Sequence, residues 1–250
     1  MRLHVNPGCL VRPANVSHGI LSAMRRAVVA VPLVALAACG GGVGGSDSGR
    51  PEDRRPSNLV SAAARGDIGD VRRLLADGAP VDTRDRDRRT AVTAAALGDH
   101  VAVARVLIDA GADVDLQDAE RNNPLLVCGV TGNVAMLREV LRAHPDVRIT
   151  NRFGGTALIP ASERGHVDMV RALLRTDIDV DHVNRLGWTA LLEAVILGAG
   201  GPAHRQIVQL LVDAGADLDF ADRDGVTAVE HARKRGYDEI ALVLETAGAS

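Results

Sequence analysis

The chain repeats itself at a fixed interval of 33 residues, and this period constrains its fold more than any other feature. Four similar segments, TAVTAAALGDH, NPLLVCGVTGN, TALIPASERGH and TALLEAVILGA, begin at Thr90, Asn123, Thr156 and Thr189. Ser57 lies one step earlier, and the next start lies 38 residues after Thr189, so the fifth unit contains a five-residue insertion. A period of this length indicates supersecondary units that bury their apolar faces only by stacking on one another.

The first residue of each unit suits the start of a helix. Its side-chain oxygen can accept a backbone hydrogen bond at an N-cap. In the third unit, Pro124 then occupies the first helical position, where proline is tolerated. In the last unit, Glu230 has the spacing of a capping box. The predicted N-caps are Ser57, Thr90, Asn123, Thr156, Thr189 and Thr227. A second helix is predicted to bury an apolar pair: Leu74/Leu75, Leu107/Ile108, Leu173/Leu174 and Leu211/Val212.

This pattern resembles the ankyrin repeat, which has the same period and a Thr-Pro-Leu-His segment at the start of its inner helix. The resemblance covers residues 57 to about 249 and implies an all-α ankyrin-repeat solenoid, in which helix-turn-helix units alternate with hairpin loops. The predicted repeats are 57–89, 90–122, 123–155, 156–188, 189–226 and 227–250. The resemblance also implies a domain that binds protein partners through its hairpin tips and the exposed face of its inner helices.

Departures from the family pattern are concentrated in the middle of the stack. The third and fourth repeats have AHPDV and RTDIDV in place of the usual Gly-Ala hairpin, so their loops are expected to be irregular. Pro160 lies inside an inner helix, which it should bend or shorten. The family's histidine is replaced in five repeats by Thr93, Leu126, Ile159, Leu192 and Glu230.

The N-terminal region differs in composition from the repeats. Arg25 and Arg26 precede an apolar run of about a dozen residues, which is too short for a bilayer that needs roughly 20 and has the layout of a secretory signal. The run ends in LAAC, which resembles the lipobox of bacterial lipoproteins and implies cleavage before Cys39 and acylation of its thiol. Residues 1–38 are therefore predicted to be a signal region, with an uncleaved anchor or a chance apolar stretch as the alternative.

Two further assignments follow from that signal. A signal n-region is normally short, so Met24 is the expected start and residues 1–23 a misassigned extension. Residues 39–56 are rich in Gly, Ser and Pro and are predicted to be a flexible tether. The resemblance to lipoproteins implies an envelope protein anchored by its lipid, on the periplasmic face of an outer membrane or, in a Gram-positive host, on the outer face of the plasma membrane.

Composition gives little support to a catalytic or nucleic-acid-binding role. Aromatic residues make up 2% of the chain, which is low for a shaped substrate pocket or a base-stacking platform. Residues 1–38 carry four arginines and no acid, so the remaining chain has 25 basic and 32 acidic side chains; nucleic acid is not expected as its partner. No nucleophile elbow or phosphate-binding loop is present in the sequence. We predict a protein that is not an enzyme and uses no cofactor.

Two kinds of metal-ligating or nucleophilic residue are predicted to be structural. Three histidines, His100, His166 and His204, occupy one repeat position, and equivalent residues of stacked helices lie roughly 10 Å apart. Because a zinc ligand lies about 2 Å from its metal, they should support turns instead. Cys128 aligns with small alanines of the inner helices, so a buried thiol is expected rather than a nucleophile.

Arginines recur in register at the predicted hairpin tips, with apolar residues beside them. The candidate partner-binding residues are Arg86, Arg88, Arg89, Arg121, Arg152, Phe153, Arg185, Leu186, Trp188 and Arg223. Because Arg and Trp are common at binding hot spots, they predict a groove with a basic edge and an apolar centre that fits an acidic protein segment. The alternative is that Trp188 only packs and that four aspartates neutralise the arginines as finger-to-finger pairs: Asp85, Asp118, Asp222 and Asp224.

The preferred interpretation is a lipid-anchored, extracytoplasmic monomer that binds a protein partner and performs no catalysis. Two alternatives stay open: an inhibitor or stabiliser of a cognate envelope or secreted enzyme, and a cytoplasmic ankyrin scaffold if the signal is spurious. A catalytic lipoprotein would need convergent ionisable groups in a cleft, and the sequence shows only groups in repeat register. The insertion near residues 199–203 is expected to be a tolerated spacer loop.

Overall fold

The computed structural model describes residues 58–249, which fold into six pairs of helices. The helices are α1 Leu59–Ala64, α2 Ile68–Ala76, α3 Ala91–Leu97, α4 Val101–Asp109, α5 Pro124–Thr131, α6 Val134–Arg142, α7 Leu158–Glu163, α8 Val167–Leu173, α9 Ala190–Ile196, α10 Pro202–Asp213, α11 Ala228–Arg235 and α12 Asp238–Thr246. Odd-numbered helices are inner and even-numbered helices are outer, and each packs against its counterpart in the next repeat. The predicted all-α stack of helix pairs is confirmed.

The predictions for the N-terminal region concern residues outside this range. They are the signal in residues 1–38, lipid attachment at Cys39 and the tether in residues 39–56, and they stay predictions. Within residues 58–249, no helix combines the length and the apolarity that crossing a bilayer requires.

Side-chain caps fix where most inner helices begin. The cap oxygen accepts the N–H three residues later, at distances of 2.9 to 3.5 Å, in Thr90, Asn123, Thr189 and Thr227. Glu230 Oε2 also accepts the N–H of Thr227 at 2.9 Å, which completes the predicted capping box. In the first repeat the cap is Asn58, one residue after the predicted Ser57, and its Oδ1 accepts the N–H of Ser61 at 2.8 Å.

Pro160 disturbs the start of α7, as predicted. Proline disfavours the helical conformation in the residue before it and has no N–H to donate. The N–H of Ile159 consequently bonds the carbonyl of Thr156 in a tight turn at 3.3 Å, and α7 begins only at Leu158 and has six residues. The predicted cap of this helix is therefore wrong, because Thr156 Oγ1 is buried without a hydrogen-bond partner.

The core runs along the inner helices and one side of the outer helices. In α3, residues 91–96 are all buried. Of the predicted apolar pairs on the outer helices, the first member is fully buried in three repeats: Leu107, Leu173 and Leu211. The second member is only half-buried, and so are both leucines of the first repeat. Consecutive residues point about 100° apart on a helix, so the second one reaches the edge of an interface that solvent borders.

The hairpin after each outer helix usually turns through a left-handed residue. This residue is a glycine in three hairpins, with φ 85° at Gly78, 87° at Gly111 and 85° at Gly215. The conformation suits glycine because it lacks Cβ. His144 takes φ 53° in the third repeat, so the left-handed turn is kept, but Pro145 has no N–H to make the bond that Ala112 makes to the carbonyl of Leu107. The fourth repeat differs as predicted: α8 has seven residues where α4 and α6 have nine.

The five-residue insertion packs against the last repeat. It lengthens α10 to twelve residues, and Pro202, which was expected in a loop, is the first residue of that helix. The Tyr237 ring lies against Gly200, where an added Cβ would come within 2.4 Å of it. Tyr237 Oη also donates to the carbonyl of Gly198 at 3.2 Å. The insertion therefore contributes to stacking.

Candidate protein-binding surface at the hairpin fingertips

Each fingertip, the turn that leads into an inner helix, is built around one Asp or Asn five residues before the position that the sequence predicted as the N-cap. Its side-chain oxygen accepts the N–H groups two and four residues later, at 2.8 to 3.1 Å. The five residues are Asp85, Asp118, Asn151, Asn184 and Asp222. These short side chains favour turns because they bond their own backbone locally. The fingertips therefore have a defined shape without any partner.

Adjacent fingertips are also hydrogen-bonded to one another. The N–H of Ala119 donates to the carbonyl of Asp87 at 2.8 Å, and the N–H of Arg185 donates to that of Phe153 at 2.9 Å. Arg185 Nη1 also donates to the carbonyl of Arg152 at 2.9 Å, and Arg223 Nη2 to the carbonyl of Arg185 at 2.6 Å. Two of the predicted arginines thus link the fingertips of repeats four to six.

The side chains of Arg185 and Arg223 cross two glycines. Gly154 and Gly187 have φ 76° and 86°, and an added Cβ would lie 2.9 Å from Arg185 Cγ and 3.0 Å from Arg223 Cγ. Arg88 occupies the position equivalent to Gly154 two repeats earlier, and it takes φ 61°. An arginine in this conformation bears a steric cost that glycine avoids.

The predicted arginines at the start of the surface have different surroundings. Arg86 and Arg88 are exposed, and their side chains have no ion-pair or hydrogen-bond partner within residues 58–249. Arg121 is exposed and takes φ 62°. Arg89 is half-buried, with Nη2 2.7 Å from the carboxylate of Asp85 and 3.4 Å from that of Asp87. The basic edge thus contains both free and neutralised arginines.

The centre of the surface contains an exposed aromatic ring beneath a guanidinium. Phe153 is 38% exposed, and Arg152 Cζ lies 4.7 Å from its ring centroid, which is within cation–π range. Arg152 also forms an ion pair with Glu120 of the preceding fingertip. The pair is therefore held in place while the ring stays accessible.

The other two predicted apolar residues are less accessible than Phe153. Trp188 is half-buried and packs against the core, and Leu186 is half-buried. Val183, which was not predicted, is 40% exposed beside the same fingertip. The tryptophan thus has a packing role in the fold, and the exposed apolar area consists of Phe153 and Val183.

Among the described residues, none of the four aspartates forms an ion pair with an arginine of a neighbouring fingertip, although the charge of Arg89 acts on Asp118 from a distance. Asp85 pairs with Arg89 in its own fingertip, and Asp118 and Asp222 accept N–H groups of their own turns. Burial raises the pKa of Asp118 despite those bonds. An ion pair that does cross between fingertips joins Arg152 to Glu120.

Sequence reasoning missed a buried acid at the base of the fifth fingertip. Glu193 on α9 is 5% exposed, and its Oε1 accepts Asn184 Nδ2 at 2.8 Å. Burial and, to a smaller extent, the nearby charge of Glu163 raise the pKa of Glu193 to about 8, against the lowering effect of the hydrogen bond from Asn184. Burial also raises the pKa of Glu163. The Glu193 carboxyl is therefore largely protonated at neutral pH and contributes no full negative charge to the surface.

A second missed pair occupies the same position in the last repeat. His231 Nε2 lies 2.8 Å from Asp222 Oδ2. Burial would raise the pKa of Asp222, but the N–H of Val226 and the imidazole lower it below its ordinary value. In both repeats a fingertip residue, Asn184 or Asp222, pairs with the residue nine positions later, Glu193 or His231. That second residue lies four positions after the N-cap, and its being polar was the signal that the sequence offered.

The three histidines of one repeat position support turns, as predicted. Each Nε2 lies 2.9 to 3.1 Å from a carbonyl oxygen of the preceding repeat: Ala64 for His100, Val130 for His166 and Glu163 for His204. The rings fill notches at glycines, and a Cβ on Gly132 would come within 2.7 Å of His166. The imidazoles therefore join successive repeats.

The described residues contain little that could support other chemistry. Cys128 is buried on α5, and burial raises its pKa to about 12, so the thiol is a poor nucleophile. Among residues 58–249, no group of three or more His, Cys, Asp or Glu side chains is placed to hold a metal ion.

Comparison with known proteins places this geometry in a family. The family model for ankyrin repeats matches residues 59–149 and 125–220, more than half of the chain. The ankyrin repeat domain from Acinetobacter baumannii AYE is 47% identical, with a TM-score of 0.75 over 79% of this chain and 100% of that one. The ankyrin repeat protein EF0377 is 39% identical, with a TM-score of 0.72 over 75% of this chain and 96% of that one.

A curated relative is similar over a shorter stretch. The ankyrin repeat protein YahD of Escherichia coli K12 is 48% identical over 58 residues, which are 23% of this chain and 29% of that protein. The chain thus matches less than a third of that relative's length. The repeats, their helix pairs and these matches agree, and the chain belongs to the ankyrin repeat family, whose members are generally protein-interaction modules.

Proposed function

We propose that this protein is a non-catalytic binding module that captures a protein partner on its fingertip surface. This surface consists of the ten predicted residues, Arg86, Arg88, Arg89, Arg121, Arg152, Phe153, Arg185, Leu186, Trp188 and Arg223. The observation that carries the proposal is the exposed Phe153 ring under the Arg152 guanidinium. Aromatic and arginine anchors held in place before binding avoid much of the entropy that ordering them would cost.

The charges of this surface favour a partner with an acidic segment. Arg185 and Arg223 donate to backbone carbonyls, which satisfies their hydrogen bonds without cancelling their charge. Arg86 has no neutralising partner within residues 58–249. A partner that places carboxylates along this edge and an apolar side chain against Phe153 would match both features.

The proposal includes a location, which rests on the N-terminal sequence. LAAC before a Gly-rich segment supports lipid attachment at Cys39 and an extracytoplasmic position at the membrane. Mass spectrometry of the native protein should show an N-terminal, lipid-modified Cys39. A native chain that begins at Met24 or Met1 contradicts the anchor and leaves the binding proposal to its own test.

The binding proposal is tested with a triple variant, Arg152→Ala/Phe153→Ala/Arg185→Ala. These side chains are exposed, so the variant should stay folded, which circular dichroism checks. Trp188 is left unchanged because it packs against the core. The wild type should retain a specific protein from a membrane-fraction extract, and the triple variant should lose it.

A matched control changes three exposed residues away from the fingertips, Arg164→Ala/Leu242→Ala/Arg235→Ala, which remove the same number of charges and one exposed apolar side chain. This control should capture the partner as the wild type does. Equal capture by the fingertip variant would refute this surface as the binding site.

A further inference from the structure

A groove opens on the outer-helix side of the stack, between α6 and α8. Its volume is about 610 Å³, and Val134, Leu137, Leu141 and Ala172 supply apolar lining. Arg138, Arg171 and Arg175 border the same space. The side chains of these three arginines have no ion-pair or hydrogen-bond partner within residues 58–249. Asp168 also lines it, so the groove combines apolar walls with three arginines and one acid, a net positive charge.

The neighbouring seam shows how such arginines are usually neutralised in this chain. Between α4 and α6, Arg105 Nη2 lies 2.6 Å from Glu139 Oε1, and Arg142 Nη2 lies 2.9 Å from Asp109 Oδ1. Arg142 also pairs with Glu139 at 2.7 Å. Two acids and two arginines therefore close that seam.

The repeat register identifies what the groove lacks. One repeat further on, Arg138 stands at the position of Arg105, but Ala172 stands at the position of Glu139. Arg175 stands at the position of Arg142, and Arg142 takes the place that Asp109 has in the earlier seam. Both acids are thus replaced, one by alanine and one by arginine. No ion pair within the described residues joins α6 to α8.

The early end of α8 goes with a looser contact between α8 and α6 than between α6 and α4. The helix ends at Leu173 after seven residues, and Arg175 lies in the turn that follows. Here the fourth repeat lacks the glycine hairpin that regular repeats have. The irregular loop and the missing acids therefore coincide at one place.

We propose that this groove binds an acidic amphipathic helix of a protein partner. Its apolar walls would receive the helix's apolar face, and Arg138, Arg171 and Arg175 would pair with carboxylates along its edge. A helix lying in an apolar groove between two helices is a common recognition mode, and arginine binds carboxylates through paired N–H donors. The nine residues of α6 span about 14 Å, enough to seat two to three turns.

The shape and rim of the groove favour a protein segment over an anionic membrane surface. The space is a recess between two helices, which a side chain can enter and a flat layer of headgroups cannot. Asp168 also lines the groove, so a ligand must place its carboxylates at the arginines and away from this one. A helix with fixed side-chain positions can do so, whereas a uniform anionic layer cannot.

Binding is measured with a synthetic probe on the whole protein. The probe is a fluorescein-labelled helical peptide of about 16 residues, with glutamates along one side and leucines on the other, and its analogue carries glutamine at every glutamate position. The acidic peptide should bind at least about tenfold more tightly than the analogue, and its affinity should fall with salt. Equal affinity of the two peptides overturns the proposal.

A double variant locates the site by removing positive charge from the groove. Ala172→Glu places an acid at the register position of Glu139, where it can pair with Arg138, and Arg175→Asp reverses the charge of a second arginine of the groove. Neither residue is fully buried, so the fold should be retained. Peptide affinity should fall by about tenfold or more. Arg72→Glu/Arg235→Ala makes the same net charge change at two exposed arginines outside the groove and the fingertip surface, and there the affinity should stay within about twofold. A groove variant that binds like the wild type refutes the site.

The same variants distinguish peptide binding in the groove from partner binding at the fingertips and from binding to lipid. Loss of partner capture in the fingertip triple variant with intact peptide binding would show two independent sites. Vesicles with an anionic phospholipid fraction should bind no better than neutral vesicles. Anionic vesicle binding that the groove variant abolishes, without peptide binding by the wild type, would replace the protein partner by a membrane and contradict the proposal.

Discussion

Replacing Glu193 by glutamine should stabilise the protein by an amount that grows with pH. This carboxyl is buried on α9 beside Asn184, and its pKa of about 8 in the folded chain lies far above the ordinary value of 4.5. The unfolded chain therefore releases the proton near pH 4.5, whereas the folded chain keeps it until about pH 8. The favourable contribution of the protonated carboxyl is complete below pH 4.5 and is lost as the pH rises through 8.

The size of the effect follows from linkage between protonation and folding. Each pH unit between the two pKa values removes about 1.4 kcal/mol from the free energy of unfolding. Between pH 5 and pH 8 the wild type should thus lose about 3.5 kcal/mol relative to the variant. Glutamine cannot ionise, and its Oε1 can still accept Asn184 Nδ2, so the variant keeps the 2.8 Å hydrogen bond.

Urea denaturation followed by circular dichroism at pH 5, 6, 7 and 8 measures this difference. Comparing variant with wild type at each pH cancels the titration of other groups. Glu163→Gln should shrink the difference, because the Glu163 charge contributes to the raised pKa of Glu193. Glu245→Gln, the same substitution at an exposed residue that pairs with Arg233, serves as the control for the substitution itself. A Glu193→Gln difference that is constant from pH 5 to 8 would refute the reasoning.

Three further predictions concern stability and are measured by the same denaturation. Pro160→Ala should stabilise the chain by about 1 kcal/mol, because α7 can then use the idle Thr156 cap; a loss of stability contradicts this. His166→Ala should destabilise it by about 2 kcal/mol, since the hydrogen bond to Val130 and the packing at Gly132 are lost. An unchanged free energy of unfolding would show that the imidazole does not stabilise the contact between these repeats. Arg88→Gly should add about 1 kcal/mol by relieving φ 61°, whereas a decrease would place a stabilising role on that side chain.

The period predicted the fold because it encodes stacking directly. Equal spacing of caps and apolar residues is possible only if each unit packs on the next in the same way, so the helix pairs and most N-caps followed from the sequence. The misplaced cap at Asn58 and the idle cap at Thr156 did not follow. They depend on the local chain path and on how Pro160 acts on its neighbour, which a register alignment does not resolve.

The candidate surface was less predictable than the fold. Position in the register located the arginines on the fingertips, but it did not reveal that Arg185 and Arg223 donate to neighbouring carbonyls. Nor did it reveal that Trp188 is half-buried while Phe153 is exposed. These outcomes depend on which way each side chain turns from a shared backbone position. The groove at Ala172 could have been found earlier by asking which repeat lacks the acids that its neighbour pairs.

Hydrogen–deuterium exchange on the captured complex tests the binding account most directly. The fingertips are predicted to contact the partner, so amide exchange in residues 118–122, 151–155 and 184–188 should slow when the partner is bound. The outer helices of repeats one and two should exchange at the same rate with and without it. Unchanged exchange at all three fingertips in a saturated complex would contradict the claim that this surface binds the partner.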